Sequence, residues 1–141
     1  MTEELTLNFD GGSRGNPGPA GIGVVISASD GTSLITLGRF IGTATNNVAE
    51  YTALIVGLEQ LARLGARRIV IRGDSELIIK QMRGEYRVKN PGLRPLYEKV
   101  KSLVARFEKF RFEHNLRESN ELADKLANLA MDLKREVTDV P

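Results

Sequence analysis

The chain has 141 residues, of which 41% are hydrophobic and 27% are charged, and its formal net charge is +2. These values are typical of one globular domain that buries its own core. There is no cysteine and a single histidine, His114, which excludes thiol nucleophiles, zinc fingers and sites built from several histidines. Any bound metal must therefore be held by oxygen ligands.

The amino terminus, MTEELTLNFD, is acidic and already has the pattern of a strand. No apolar stretch approaches the length needed to span a membrane. We therefore expect a cytoplasmic protein, with a monomer as the default state. The near-neutral net charge permits a polyanionic partner but does not argue for one.

The first half of the chain predicts a β-meander followed by a helix. Apolar and polar residues alternate over positions 5–10, which indicates a strand that ends on Asp10. GIGVVISA and SLITLGRFIG predict the second and third strands. From Asn46 the apolar spacing becomes that of a helix, which runs to about Leu64.

The second half predicts two further strands, each followed by helices. RRIVIRGDS indicates a central strand that stops at Asp74. A short helix (SELIIKQM), a loop (GEYRVKNPG), a longer helix and a last strand (KFRFEHN) precede a helix from about Ser119 to Leu133. We expect residues 1–134 to form the domain and residues 135–141 to be a flexible tail.

Four acids from distant parts of the chain are expected at one edge of this sheet. If the first three strands form a meander, an ordinary crossover places the first turn of the Asn46 helix at the carboxyl ends of strands one and four. Ligands of open α/β sheets collect at that edge. The acids that meet there would be Asp10, Glu50, Asp74 and Asp124.

Each acid taken alone also has a structural explanation. Asp10 and Asp74 suit turns or caps, Asp124 suits the charged face of an amphipathic helix, and Glu50 suits a helix amino terminus. Clustered carboxylates, however, repel one another unless a cation compensates them. Such a cluster can hold two Mg²⁺ or Mn²⁺ ions roughly 4 Å apart across a scissile phosphate. The sequence therefore predicts two Mg²⁺ ions, with Mn²⁺ as the alternative.

Four blocks resemble, in order and spacing, the signature of type 1 ribonuclease H. They are FDGGSRGNPGPAG, TNNVAEYTAL, GDSELIIKQM and NELADKLAN. The glycine-rich segment alone matches neither a P-loop nor a dinucleotide fingerprint. From the residues and the resemblance we expect an α/β ribonuclease H-like fold: a five-stranded mixed sheet with strands 1–3 antiparallel, strands 4 and 5 parallel to strand 1, and helices on both faces.

The resemblance implies a two-metal endonuclease that hydrolyses the RNA strand of RNA/DNA hybrids and leaves 5′-phosphate and 3′-hydroxyl ends. The four acids correspond to the metal-binding catalytic carboxylates of the family. The positions that correspond to its substrate contacts are Gly11, Gly12, Asn16, Thr45, Asn46 and Asn47. Amides can read the RNA 2′-hydroxyl without regard to sequence, although helix capping is an alternative role for Asn46 and Asn47.

Two further residues lie near the fourth acid. His114 precedes Asp124 by ten residues, the separation at which many members of the family keep a histidine that assists proton transfer or product release. The alternatives are a plain strand-end residue, or Arg117 as a rival cation in the same loop. Asn120 stands one helical turn before Asp124 and either braces it or starts the helix.

The chain resembles the compact form of the family, without the basic helix and loop of larger relatives or a hybrid-binding domain. Five cations form either a substitute phosphate-binding surface or an ordinary solvated face: Lys80, Arg83, Arg87, Lys89 and Arg94. Two other functions remain open, namely a nuclease of related fold with another substrate and a non-catalytic hybrid-binding module. The presence of all four acids argues against the second.

Overall fold

The computed structural model describes residues 3–116 and 120–138. The elements in chain order are β1 (Glu4–Ser13), β2 (Gly18–Ser27), β3 (Ser33–Ala44), α1 (Asn46–Arg63), β4 (Arg68–Gly73), α2 (Glu76–Met82), α3 (Arg94–Val104), β5 (Lys109–His114) and α4 (Glu121–Leu133). This order agrees with the one predicted from the hydrophobic pattern. Ser119, the predicted start of the last helix, lies outside the described residues.

The strands form one sheet in the order β3-β2-β1-β4-β5. β1, β2 and β3 pair antiparallel, and β4 and β5 run parallel to β1, so the predicted mixed sheet is confirmed. Helices cover both faces. Val24 belongs to the core under α1, whereas the next residue, Val25, faces the opposite way and packs with Ala123 and Leu126 of α4. No helix in the described ranges is both long and apolar enough to cross a membrane.

The sequence predicted that β1 ends on Asp10, but in the structure the strand continues to Ser13. Its parallel pairing with β4 stops at Phe9 opposite Gly73, but its antiparallel pairing with β2 continues through Ser13. The glycines after Asp10 cannot pack a core and therefore resembled a loop, yet their backbone stays extended and paired. Asp10 thus lies where β1 separates from β4.

Glycines allow α4 to lie unusually close to the sheet. A Cβ added to Gly23 would stand 1.8 Å from the carbonyl oxygen of Ala123, and one added to Gly38 would stand 2.5 Å from that of Leu126. Gly11 has the same role toward α1, since its Cβ would stand 2.3 Å from the carbonyl oxygen of Ala49. The missing side chains therefore set how closely both helices approach the strands.

The folded chain continues past the residue at which the tail was expected to begin. Val137 is buried, its N–H donates to the Gly38 carbonyl at 2.7 Å, and the Gly38 N–H donates back at 2.6 Å. Arg39 and Glu136 form an ion pair at 3.0 Å beside this bridge. The apolar side chain of Val137 gives the segment a place in the α4 layer. Residues 139–141 lie outside the described part of the chain.

Gly23→Ala should destabilise the protein by about 2 kcal/mol or more, because the added methyl overlaps the α4 backbone. The measurement is urea unfolding followed by circular dichroism. Gly12→Ala is the matched control, since its Cβ would meet nothing nearer than the Asn46 Oδ1 at 3.8 Å. Equal stability losses in the two variants would contradict the close-contact explanation.

Candidate active site

A pocket of about 380 Å³ opens at the carboxyl ends of β1 and β4. Its lining includes all four predicted carboxylates, Asp10, Glu50, Asp74 and Asp124. They come from β1, the early part of α1, the residue after β4 and the first turn of α4. The structure therefore brings together the side chains that the topology argument placed at one edge.

Backbone contacts explain why the four acids meet. Asp10 follows the last residue of β1 that pairs with β4, at the point where the two strands part. Gly23 lies directly opposite Asp10 on β2 and supports the backbone of Ala123, the residue before Asp124. On the other side, Gly11 packs against the α1 backbone at Glu50. The backbones of both helices are thus held close to Asp10, α1 by the next residue Gly11 and α4 by the cross-strand partner Gly23.

The pKa of Asp10 is raised from its ordinary value to about 8. Burial is the largest cause, followed by the negative charge of Asp74 and by a hydrogen bond to the Asp124 side chain. In the metal-free protein Asp10 therefore keeps a proton at neutral pH. That proton relieves part of the repulsion among the acids.

Glu50 is the second acid whose environment disfavours charge. Burial raises its pKa to about 7, a hydrogen bond with Ser75 acts in the opposite direction, and the charge of Asp74 raises it further. Its Oε2 atom is buried and has no hydrogen-bond partner among the described residues. A buried acceptor without a partner is unfavourable, so this oxygen would gain from a cation.

The carboxylates are gathered but do not yet form a finished coordination sphere. Within residues 3–116 and 120–138, no group of three His, Cys, Asp or Glu side chains already has the geometry to hold a metal ion. Asp10 and Asp124 are instead hydrogen-bonded to each other. The donor set still fits Mg²⁺ or Mn²⁺, because these ions prefer oxygen ligands and would replace the retained protons.

The predicted substrate residues lie beside the carboxylates in two adjoining pockets. Gly11, Gly12 and Asn46 line the acidic pocket. A neighbouring pocket of about 450 Å³ is lined by Asn16, Thr45, Asn46, Asn47, Val48, Asn90, Gly92 and Leu93. Asn46 belongs to both and therefore marks where the two pockets join. Asn90 was not predicted, and its only signal in the sequence is its place in the loop before the long helix.

Thr45 caps the amino terminus of α1, so the alternative role of helix capping does not apply to Asn46 or Asn47. The Thr45 hydroxyl accepts a hydrogen bond from the Val48 N–H at 3.2 Å. Asn46 instead accepts from the Ser13 N–H at 2.8 Å through its Oδ1, and its own N–H donates to the Asn16 Oδ1 at 3.0 Å. These bonds join the start of α1 to the last residue of β1 and to the loop that follows it.

The two residues expected near the fourth acid, His114 and Asn120, do not line the acidic pocket. His114 is exposed at the end of β5, does not line the acidic pocket, and has its Nε2 3.2 Å from the Asp74 carbonyl oxygen. Arg117 lies outside the described residues. Asn120 makes no side-chain cap and forms its hydrogen bonds with β1 instead.

Most of the predicted basic residues have acidic neighbours. The ion pairs are Lys80–Glu76 at 2.7 Å, Arg83–Glu85 at 3.9 Å and Arg94–Glu98 at 3.3 Å. Arg14, which the sequence analysis did not single out, lines the acidic pocket and pairs with Asp132 at 2.6 Å. A signal was present, because Arg14 is the one charged residue in the glycine-rich segment of residues 11–18.

Comparisons with known proteins agree with the geometry. The profile of the family described as "Reverse transcriptase-like" matches residues 8–130. The bifunctional protein Rv2228c of Mycobacterium tuberculosis is 44% identical over 130 residues, which cover 92% of this chain and 36% of that protein. The chain thus spans about a third of the length of the mycobacterial relatives it matches.

Solved structures show the same architecture at similar identity. RNase H1 from Halobacterium salinarum superposes with a TM-score of 0.90 at 44% identity, over 92% of this chain and 98% of that chain. LC11-RNase H1 in complex with an RNA/DNA hybrid superposes with a TM-score of 0.88 at 44% identity, again over 92% and 98%.

The mixed five-stranded sheet and these superpositions show a ribonuclease H-like fold. The chain belongs to the type 1 ribonuclease H family, which confirms the resemblance seen in the sequence. It has a compact form in which residues 83–93 join α2 directly to α3 without a further helix.

Without divalent cations, Asp10→Asn should be more stable than the wild type at pH 8, and the difference should vanish below about pH 4. The folded-state pKa of Asp10 is about 8 against an ordinary value of 3.8, so folded protein keeps a proton that the unfolded chain releases. Wild-type stability is therefore lost as pH rises through this window, and asparagine removes that loss.

The measurement is urea unfolding in a chelating buffer from pH 4 to pH 8. Glu59→Gln is the control, since Glu59 is an exposed carboxylate on the same helix as Glu50. It should show no such pH-dependent gain. Parallel pH profiles for wild type and Asp10→Asn would contradict the raised pKa.

Proposed function

We propose that this chain is an endoribonuclease that hydrolyses the RNA strand of RNA/DNA hybrids with two divalent metal ions, Mg²⁺ or Mn²⁺. The products would carry 5′-phosphate and 3′-hydroxyl ends. The observation that carries the proposal is the meeting of Asp10, Glu50, Asp74 and Asp124 in one pocket of a type 1 ribonuclease H fold.

The four carboxylates would hold the cations. Asp10 and Glu50 are the two whose neutral forms are favoured by burial, and Glu50 has an oxygen without a partner. Replacing retained protons by divalent cations removes both unfavourable features. When bound, such ions would lower the pKa of the attacking water and place positive charge near the leaving oxygen. Water then adds to phosphorus, the bond to the 3′-oxygen breaks, and that oxygen leaves protonated as the 3′-hydroxyl.

Two uncharged residues that line the pocket beside the carboxylates, Asn46 and Gly12, would contact the hybrid. Because Ser13 occupies the Oδ1 of Asn46, the amide N–H groups of that side chain remain as donors for a 2′-hydroxyl. The backbone of Gly12 adjoins it in the same lining. The complex of LC11-RNase H1 with an RNA/DNA hybrid supports the choice of substrate.

The neighbouring pocket is proposed to take the DNA strand. Asn16, Thr45, Asn46 and Asn47 line it, and none of these side chains is charged. Hydroxyl and amide groups can donate to phosphate oxygens without reading the base. Asn46 lines both pockets, so this residue would lie between the RNA strand in the acidic pocket and the DNA strand in the neighbouring pocket.

His114 has a secondary proposed role. Its ring is exposed and within hydrogen-bond distance of the Asp74 backbone, which keeps it next to the site without joining the carboxylates. Imidazole can act as a general acid or base, so this ring would carry a proton to the leaving oxygen. The cytoplasmic location and the monomeric state stay predictions from the sequence.

Asp10→Asn should lower cleavage of the RNA strand by about 100-fold or more while the fold is kept, because an anionic ligand is lost at constant side-chain volume. The assay uses an end-labelled RNA/DNA hybrid with and without Mg²⁺. Single-stranded RNA, duplex RNA and duplex DNA serve as competing substrates.

Glu59→Gln again serves as the control for loss of one exposed negative charge, and it should cleave like the wild type. Cleavage of duplex DNA in preference to the hybrid would assign a different nuclease activity. Hybrid binding without cleavage by the wild type would assign a binding module. Either result would overturn the proposal.

A further inference from the structure

Asn120 links the helix that carries Asp124 to the strand that carries Asp10. Its side chain is buried, with 1% of the residue exposed. The Asn120 Nδ2 donates to the Phe9 carbonyl oxygen at 2.9 Å, and its Oδ1 accepts from the Asn8 Nδ2 at 3.1 Å. One amide therefore spans from the residue before α4 to the two residues of β1 that precede Asp10.

Helix capping does not explain this burial. The Asn120 side chain makes no cap hydrogen bond to α4, so its polar atoms serve contacts between elements. A buried amide is tolerated when its donor and its acceptor are both satisfied. The Asn8 amide also orients the group, because it meets the oxygen of Asn120 and leaves the nitrogen toward Phe9.

The link stands where β1 loses a neighbouring strand. Phe9 is the last residue of β1 that pairs with β4, and Asp10 follows it in the gap between the two strands. Gly23 sets how closely α4 lies over β2. Asn120 adds a directional contact to β1, which limits sliding and rotation of the first turn of α4. Apolar packing of α4 against the sheet would not fix its orientation in this way, because hydrophobic contacts are non-directional.

We propose that Asn120 is a positioning residue, whose amide bridge to Phe9 and Asn8 holds the Asp124 carboxylate at the separation from Asp10 that cation binding requires. This inference rests on the proposed function, since it concerns the same four-carboxylate pocket. Alanine leaves the Phe9 carbonyl without this donor. Aspartate has the same shape but no N–H to donate.

Asn120→Ala and Asn120→Asp should lower kcat on a labelled hybrid by on the order of 10- to 100-fold, because small displacements of catalytic groups have effects of this size. The Mg²⁺ concentration for half-maximal activity should rise several-fold. The KM for the hybrid should stay unchanged, since neither Asn120 nor its partners Asn8 and Phe9 belong to the proposed substrate contacts.

Asn8→Ala should have a smaller effect of the same kind, because Asn8 acts by orienting Asn120. The double variant Asn8→Ala/Asn120→Ala should be no worse than Asn120→Ala alone. Additive losses would contradict the shared route. If Asn120→Ala does not fold, the test relies on Asn8→Ala. Wild-type kcat and wild-type Mg²⁺ dependence in Asn8→Ala would then overturn the proposal.

Val137→Ala is the control for general destabilisation. Val137 is buried in the same α4 layer and pairs with Gly38 only through its backbone. At a temperature where both variants stay folded, Val137→Ala should keep wild-type kcat and Mg²⁺ dependence. An equal loss in both variants at equal loss of stability would reduce Asn120 to a structural residue and overturn the inference.

A binding measurement separates this inference from the proposed function. Mg²⁺ alone, titrated into each protein while its thermal midpoint is followed, reports cation affinity without hydrolysis. A wild type that binds Mg²⁺ but cleaves no hybrid would refute the function and leave the bridge testable. Asn120→Ala should then still need more Mg²⁺ for the same shift, and equal Mg²⁺ affinities would overturn the inference.

Discussion

The burial of carboxylates beside one another in one pocket is the constraint on which the rest of the structure depends. Burial withholds water from Asp10 and Glu50, and the negative charge of Asp74 adds to the effect, so in the metal-free protein their pKa values rise to about 8 and about 7. Glu50 also retains a buried oxygen without a partner in the described part of the chain. The metal-free site lowers the stability of the folded protein, and cation binding removes this cost. The loss of stability in the metal-free state thus accompanies the capacity to bind cations.

The scaffold must hold this unfavourable cluster together, and it does so through backbone contacts more than through side chains near the acids. Gly11 and Gly23 flank Asp10 in the sheet, and each lies against a helix backbone that no larger residue would permit. Two amide side chains add hydrogen bonds between elements around the pocket: Asn46 joins α1 to the end of β1, and Asn120 joins α4 to β1. Neutral hydrogen-bonding groups suit this task, because they add rigidity without adding charge to an acidic site.

Much of this arrangement could be predicted from local sequence pattern and from the handedness of crossovers. Hydrophobic periodicity predicts the strands and helices, and an ordinary crossover topology is enough to place Asp10, Glu50, Asp74 and Asp124 at one edge. What the sequence did not reveal depends on contacts between distant segments. Gly11 and Gly12 indicated a loop, although β1 continues through them, because strand pairing with β2 is decided by the partner. The bridge from Asn120 to Phe9 joins residues 111 positions apart, and the pairing of Val137 with Gly38 is equally remote from local propensity.

The central claim is that the pocket raises the pKa values of Asp10 and Glu50 to neutrality or above until cations bind. Carboxyl carbon chemical shifts, followed by NMR through a pH titration of the metal-free protein, test it most directly. The account predicts that Asp10 titrates with a pKa of about 8 and Glu50 with a pKa of about 7, and that saturating Mg²⁺ brings both below neutrality. Titration of both carboxyls near pH 4, the ordinary value for such groups, would contradict it.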